Sequence, residues 1–403
     1  MKEKKAYNFF TLFSLYIAQS VPMTFFSTVM PVIMRQEQYS LTSIGLLQLV
    51  KLPWILKFLW APLVDGSSKR TIDFKKWIFS SEIVYAVLIV AIGFLNLQID
   101  FNLIIILLLF AFTASATQDI ATDAFAILIL KKEDRSIGNS MQSGGSFLGT
   151  VIGSGVLLII YSFYGWKFLM LGLAGFVFIA LIPLLFFKKQ KIRTEEKFKK
   201  ISGKDLYLFF TQKGILKHVL LLFFFYSGIV GILTMVKPWL VDLGYNIKEI
   251  GIYSGIYGAS AGFLSALFAG WLMRKIGRRK SVRIFMFLTI LVTAYFVIIS
   301  YLTLSTALII LALLLIWGVY GANSVAVYTL AMDNVRTGRE GTDFTIQIVL
   351  THLGSLFLAI MSGKLAYNFG YRGLFTVELI FAIFVFIFFP VLYTFNSETN
   401  DKR

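Results

Sequence analysis

Twelve apolar runs punctuate the chain, at about residues 8–33, 42–63, 77–97, 102–130, 139–161, 166–187, 218–240, 247–273, 282–301, 305–331, 343–365 and 371–394. Each is close to the roughly 20 residues that an α-helix needs to cross the hydrocarbon core of a bilayer. Backbone groups in lipid have no water to turn to, so such runs are expected to be helices. Composition agrees, with 58% hydrophobic residues and only 15% charged, against ~25% in soluble domains. The expected fold is an all-α polytopic membrane protein with twelve transmembrane helices, and its expected partner is the lipid bilayer.

Basic residues set the orientation. The 38 Lys and Arg give a net charge of +17, but they lie in loops rather than along one face, so nucleic acid is not an expected partner. With the N-terminus placed in the cytoplasm, thirty of them fall on the cytoplasmic side. Five, Arg35, Lys167, Lys248, Lys364 and Arg372, fall on the other. That bias puts both termini in the cytoplasm. Met1-Lys-Glu-Lys-Lys leads into a run too long for a cleavable signal. No cysteine and two histidines leave no thiol chemistry and little for a metal, and no cofactor is expected.

The two halves echo each other. Tyr164-Gly165-Trp166-Lys167 opens the sixth run, and Phe369-Gly370-Tyr371-Arg372 opens the twelfth, 205 residues later. Ala61-Pro-Leu-Val-Asp65 closes the second run, and Gly270-Trp-Leu-Met-Arg274, continued by Lys275-Ile-Gly277-Arg278-Arg279, closes the eighth. The expected organisation is a six-helix bundle over 1–187, a basic cytoplasmic linker over 188–217 and a second bundle over 218–403. Paired halves of this kind are the parallel-repeat plan of major facilitator transporters. The two loops resemble that family's short motif, G-x-L-x-D-R-x-G-R-R. Both depart from it, the first with Ala61 for the leading glycine and the second with Arg274 in place of the acid.

Ionisable residues inside the runs are few: Lys51, Lys57, Glu82, Asp119, Asp123, Lys237, His352 and Glu378. Charge at such depth is costly and marks function by default. Asp119 and Asp123 are four apart and share one helix face. Depth matching makes Lys57 a partner for Asp123 or Asp119, unless it snorkels to the cytoplasmic surface. Such a group could move a proton or could be a fixed bridge, and both readings stand at this point. Glu82 is expected to reach the interface. Gln19, Gln48, Gln118, Lys237 and Asn323 are the expected lining of a substrate cavity, with the solute held near the membrane midplane between the halves. Asp65, Arg135, Arg274, Arg278 and Arg279, with Lys69 and Arg70, are expected at a cytoplasmic gate. An acid at a helix C-terminus needs a basic partner, and Arg135 is the first choice for Asp65. Gly145, Gly149 and Gly153 form a face that lets helix backbones approach closely.

Two stretches narrow the resemblance. Leu52-Pro-Trp-Ile-Leu-Lys57-Phe-Leu-Trp-Ala-Pro-Leu-Val-Asp65 resembles the K-F-L-W-A-P-x-x-D segment of AmpG-type permeases, in the peptide–acetyl-CoA–drug transporter group. Thr117-Gln-Asp119-Ile-Ala-Thr-Asp123-Ala resembles their Q-D-I-x-x-D-A segment, and Tyr16-Ile-Ala-Gln19-Ser-Val-Pro22 also fits. The resemblance implies a secondary transporter of the bacterial inner membrane, proton-coupled, importing a bulky polar solute by alternating access. The solute would be an anhydromuropeptide or, as in relatives that share the first stretch, a siderophore. Lys57, Asp119 and Asp123 would carry the coupling, and a monomer is expected. The two extra spans of the best-known muropeptide permeases are absent, since residues 188–217 take their place, and this compact form leans toward the siderophore-type relatives. A different class, a non-transporting sensor or membrane-embedded acyltransferase, would rest on His218 as the candidate base.

Overall fold

Every regular element among the described residues is helical. A computed structural model describes residues 2–39, 47–68, 70–187 and 202–393. Helix α1 (Lys2–Thr24) contains Pro22, whose ring cannot continue the hydrogen-bond ladder. A π turn at Phe25–Val29 follows and leads into α2 (Met30–Gln36). The second apolar run is not one regular helix. It descends through a 3₁₀ turn at Gln48–Lys51, α3 (Leu52–Leu56), a second 3₁₀ turn at Lys57–Leu59 and α4 (Ala61–Ser67). Pro53 and Pro62 open α3 and α4, where a missing N–H costs least.

Helices α5 (Thr71–Gly93), α6 (Phe101–Ile129) and α7 (Arg135–Val151) come next. A π turn at Ile152–Val156 then joins α7 to α8 (Leu157–Leu185), which breaks at Gly165. Residues 188–201 of the expected linker lie outside the described residues. Its remainder forms α9 (Lys204–Phe210) and the start of α10 (Ile215–Phe224). Helix α11 (Val230–Asp242) follows a turn at residues 225–229, so the seventh apolar run is broken in its middle. The short α12 (Ile247–Ile250) and a π turn at Gly251–Gly258 lead to α13 (Ala259–Ile276). The chain continues through α14 (Arg278–Ile299), α15 (Thr306–Asp333) and α16 (Glu340–Leu392).

Among the described residues, eight helices are long and apolar enough to cross a membrane, and α9 with α10, bent by 89°, makes a ninth candidate. The 53 residues of α16 would reach about 80 Å as one straight helix, far beyond a bilayer core of roughly 30 Å. Gly370 breaks it into two, so the eleventh and twelfth apolar runs both lie on it. Exposed Phe110, Ile179, Leu264 and Phe384 give the helices the apolar outer face that lipid requires.

The chain forms two compact units, and each contains a piece of the opposite half of the sequence. The first comprises Met1–Lys131, Leu148–Leu206 and Val335–Thr345. Its core packs α1, α5, α6 and α8 around Phe25, Phe26, Ile89, Phe112 and Leu173. Ile104, Leu108 and Phe112 recur four apart on the buried face of α6. Gly149 and Gly153 let their helix approach α1: a Cβ at Gly149 would stand 2.5 Å from Ser20 Cβ, and one at Gly153 2.6 Å from the Val21 carbonyl oxygen. The second unit comprises Lys132–Phe147, Tyr207–Asn334 and Ile346–Arg403. Trp239, Phe296 and Phe375 form one aromatic cluster there, with ring centroids 5.3–6.0 Å apart. Gly262 and Gly321 bring α13 and α15 into backbone contact.

Candidate functional site

In the first unit, Lys57 pairs with Asp119 rather than snorkelling; only 1% of it is exposed. The break between α3 and α4 holds the lysine on a 3₁₀ turn beside α6, with its Nζ 5.0 Å from the Trp54 ring centre. Tyr16 and Gln19 lie one turn apart on α1 and face the two acids, which lie one turn apart on α6. Gln19 Nε2 donates to Asp119 Oδ1 at 2.8 Å, and the Tyr16 hydroxyl donates to Asp123 Oδ1 at 2.7 Å. Trp60 Nε1 donates to Thr117 Oγ1 at 3.1 Å, fixing α4 on the same helix. The result is a buried set of two carboxyls and one ammonium. Charge enclosed this deeply is tolerable only when paired.

Gln118 is fully buried, and neither amide atom has a hydrogen-bond partner among the described residues. Glu82 corrects the expectation that it reaches the interface. It is 0% exposed on α5, and neither carboxyl oxygen is hydrogen-bonded among the described residues. The side chain of Gln48 lies outside the described residues.

Asp65 has a different partner from the arginine expected. Its carboxylate accepts the backbone N–H of Gly341 at 3.0 Å, that of Thr342 at 2.6 Å and the Thr342 hydroxyl at 2.7 Å. The start of α16 therefore supplies the positive charge, as the unpaired N–H groups of a helix N-terminus can. Asp65 lies two residues past its apolar run. Burial pushes its carboxyl up to about 7, against the opposing pull of the Thr342 hydroxyl and N–H; Glu340 raises it further and the Gly341 N–H lowers it. The same segment is tied at its other end. Arg336 bridges to Asp343 at 2.6 Å and donates to the Asp205 carbonyl at 2.9 Å, while Arg339 pairs with the Asp205 carboxylate.

The other gate residues gather in the second unit. Arg135 donates to Asp333 Oδ1 at 3.0 Å and to the Met332 carbonyl at 2.8 Å, and Arg278 pairs with the opposite oxygen of Asp333. Arg278 also donates to the Lys132 carbonyl. Arg274 reaches Asp134 at 3.3 Å. Arg279 is exposed, and Lys69 lies outside the described residues. Asp205, Asp333, Asp343 and the start of α16 were not among the residues singled out from the sequence. The available signal was the scarcity of acids near these helix ends, which makes each one there a candidate partner for an arginine.

The expected cavity residues of the second unit are not drawn together. Asn323 is buried, donating to Thr289 Oγ1 at 3.2 Å and to the Val319 carbonyl at 2.9 Å, whereas Lys237 is exposed on α11. His218 is buried and donates to the Gln347 amide oxygen at 2.7 Å.

The family model described as Major Facilitator Superfamily matches residues 9–357. The anhydromuropeptide permease of Escherichia coli is 25% identical over 279 residues, 68% of this chain. The match covers 57% of that protein, so the chain spans little more than half its length. A Rickettsia prowazekii relative carrying the name AmpG 3 is 24% identical over 386 residues, 90% of each chain. Among solved structures, the E. coli fucose:proton symporter shares the fold with a TM-score of 0.70 at 13% identity, covering 95% of this chain and 98% of that one.

Proposed function

Because the chain belongs to the major facilitator superfamily, and so to a family of transporters rather than enzymes, we propose that this multi-pass secondary transporter couples solute import to proton movement through Asp119 and Asp123. The observation that carries the reading is the buried set of Lys57, Asp119 and Asp123, in which two acids share one base. Ionising both acids leaves one negative charge uncompensated, and a low-dielectric site resists that. One proton is therefore held between them. Rearrangement of Lys57 as α3 and α4 move would shift that proton from one acid to the other, or out. Tyr16 and Gln19 keep each carboxyl oriented while this occurs.

The proposed architecture is twelve spans in two six-helix bundles, over 1–187 and 218–403, with both termini cytoplasmic in the bacterial inner membrane. Alternating access would expose the bound solute to each side in turn, and the contact of Asp65 with the start of α16 and the arginine pairs of Asp333 would lock the cytoplasmic ends. For the solute, the likeness to an anhydromuropeptide permease favours an anhydromuropeptide. A siderophore is the competing solute. The departure of residues 188–217 from the longer muropeptide permeases keeps it in the test.

The test is uptake into inverted and right-side-out vesicles carrying an imposed pH gradient, with labelled anhydromuropeptide and with a labelled siderophore supplied separately. Wild type should accumulate one of them when the gradient is present. Asp119→Asn and Asp123→Asn should each abolish gradient-driven accumulation while retaining exchange of solute across the membrane. Gradient-driven accumulation that survives in both single variants and in the double variant would overturn the coupling role.

A further inference from the structure

The break between α10 and α11 exposes backbone groups in the middle of an apolar run, where each unpaired group is costly. Gly228 sits at its centre with φ +83, a conformation open to glycine and strained for other residues. Two side chains from other helices satisfy it. The Gly228 N–H donates to Glu378 Oε2 at 2.7 Å, and the Gly228 carbonyl accepts from Thr293 Oγ1 at 3.0 Å. Glu378 is 1% exposed. Its other oxygen rests on Gly231, where a Cβ would overlap it. The absence of a side chain at Gly231 is what admits the carboxyl to the first turn of α11.

A glutamine or a hydroxyl could accept the same N–H bond, so the acid needs a further account. The elements packed around it offer no countercharge among the described residues. Gly228 and Gly231 meet the carboxyl from the break, and Thr289 of α14 and Ala382 of α16 lie against Gly228. The titratable groups of those elements are engaged elsewhere or remote. Tyr226 donates to Ser324 at 3.3 Å, Tyr371 donates to Asp242 at 2.6 Å, Arg372 donates to the Ser300 carbonyl at 2.8 Å, and Lys237 is exposed nearly two turns along α11. Burial without a cation and the N–H groups at the start of a thirteen-residue helix act in opposite senses on its charge. The two pulls act on one carboxyl at one hinge.

We propose that Glu378 is a proton-binding site of the second unit, and that its occupancy sets the strength of the hydrogen bond that holds the α10–α11 break. Ionised, the carboxylate is a charge-assisted acceptor for Gly228 and holds the turn closed. On taking a proton from water it becomes a neutral acceptor, and the bond weakens. The site is independent of Lys57, Asp119 and Asp123, and it stands whether or not those residues couple transport.

Infrared difference spectra of the full-length protein in lipid nanodiscs, recorded between roughly pH 5 and pH 9, test the binding. The protonated-carboxyl stretch should titrate in wild type with one component beside that of Asp65, and that component should be lost in Glu378→Gln and persist in Asp119→Asn and Asp123→Asn. Superimposable wild-type and Glu378→Gln spectra would overturn the site. Hydrogen exchange of the Gly228 amide, corrected for intrinsic rate, tests the hinge. Wild type should exchange about tenfold more slowly in the alkaline state, the difference between a neutral and a charge-assisted bond, and Glu378→Gln should show no such change. Gly231→Ala serves if Glu378→Gln fails to fold, because it displaces the carboxyl and leaves it titratable. It should retain the infrared band and lose the pH dependence of exchange. Retention of that dependence would overturn the proposal.

Discussion

Gly165 and Gly370, 205 residues apart, adopt the same backbone conformation, with φ 71°, ψ −175° in one and φ 68°, ψ 178° in the other. Both turn the chain between consecutive apolar runs, so the sequence repeat is also a geometric one. Neither would bring a Cβ into contact with anything within 4 Å. Alanine at either position therefore meets only backbone strain, about 1–3 kcal/mol. Thermal unfolding in lipid should show similar losses for Gly165→Ala and Gly370→Ala. A loss at one and none at the other would separate the two turns.

Lys57 and Asp119 should behave as a coupled pair. Removing Lys57 leaves buried acid uncompensated, at about 3–5 kcal/mol, whereas removing Asp119 leaves Asp123 to balance the lysine. Lys57→Met should destabilise strongly and Asp119→Asn less, and the double variant should recover part of the Lys57→Met loss because both charges go together. A double-mutant cycle on unfolding free energy reads this directly. Additive losses would mean that the two side chains are held by other groups.

The contact of Asp65 with the start of α16 should depend on pH. Its carboxyl is raised from 3.8 to about 7 by burial, so the folded protein binds the proton more tightly than the unfolded chain. The stability this group contributes is full below about pH 4 and is lost as pH rises through about 7. Asp65→Asn cannot titrate. The stability of wild type relative to Asp65→Asn should fall across that window and be flat above it, measured by melts over a pH series.

Two neighbouring glycines should differ in their tolerance of a methyl group. A Cβ at Gly321 overlaps the Gly262 carbonyl, which is backbone, whereas a Cβ at Gly262 meets the Phe147 ring at 2.8–3.0 Å. The ring can move and the backbone cannot. Gly321→Ala should cost about 1–3 kcal/mol by overpacking, and Gly262→Ala less. The reverse order in thermal unfolding would contradict the backbone contact of α13 and α15.

Helices and charge-bearing residues were legible in the sequence for distinct reasons. The apolar runs announced the helices because lipid leaves the backbone no alternative. Lys57, Asp119 and Asp123 stood out because charge is rare at that depth, and the ambiguity between two acids closed only when Lys57 was seen on Asp119 and Tyr16 on Asp123. The partner of Asp65 was not legible. Its donors are backbone N–H groups, which carry no residue signature, and they come from a segment 276 residues away. The break at Gly228 was hidden for a similar reason. Nothing in an apolar stretch marks one glycine as a hinge until Glu378 and Thr293 are brought against it.

The exchanged segments bear on how the chain is made. The first unit includes Val335–Thr345 and the second includes Lys132–Phe147, so the early part of the chain cannot complete its own contacts as it leaves the ribosome. Asp65 has its donors only after Thr342 has been synthesised, 277 residues on. At roughly 5–20 residues per second, that is an interval of about 14–55 s. Throughout it the carboxyl that the fold will bury is without these donors. Maturation of the N-terminal half is thereby timed by the C-terminal half, and a chain truncated before residue 335 would expose its incompleteness at Asp65.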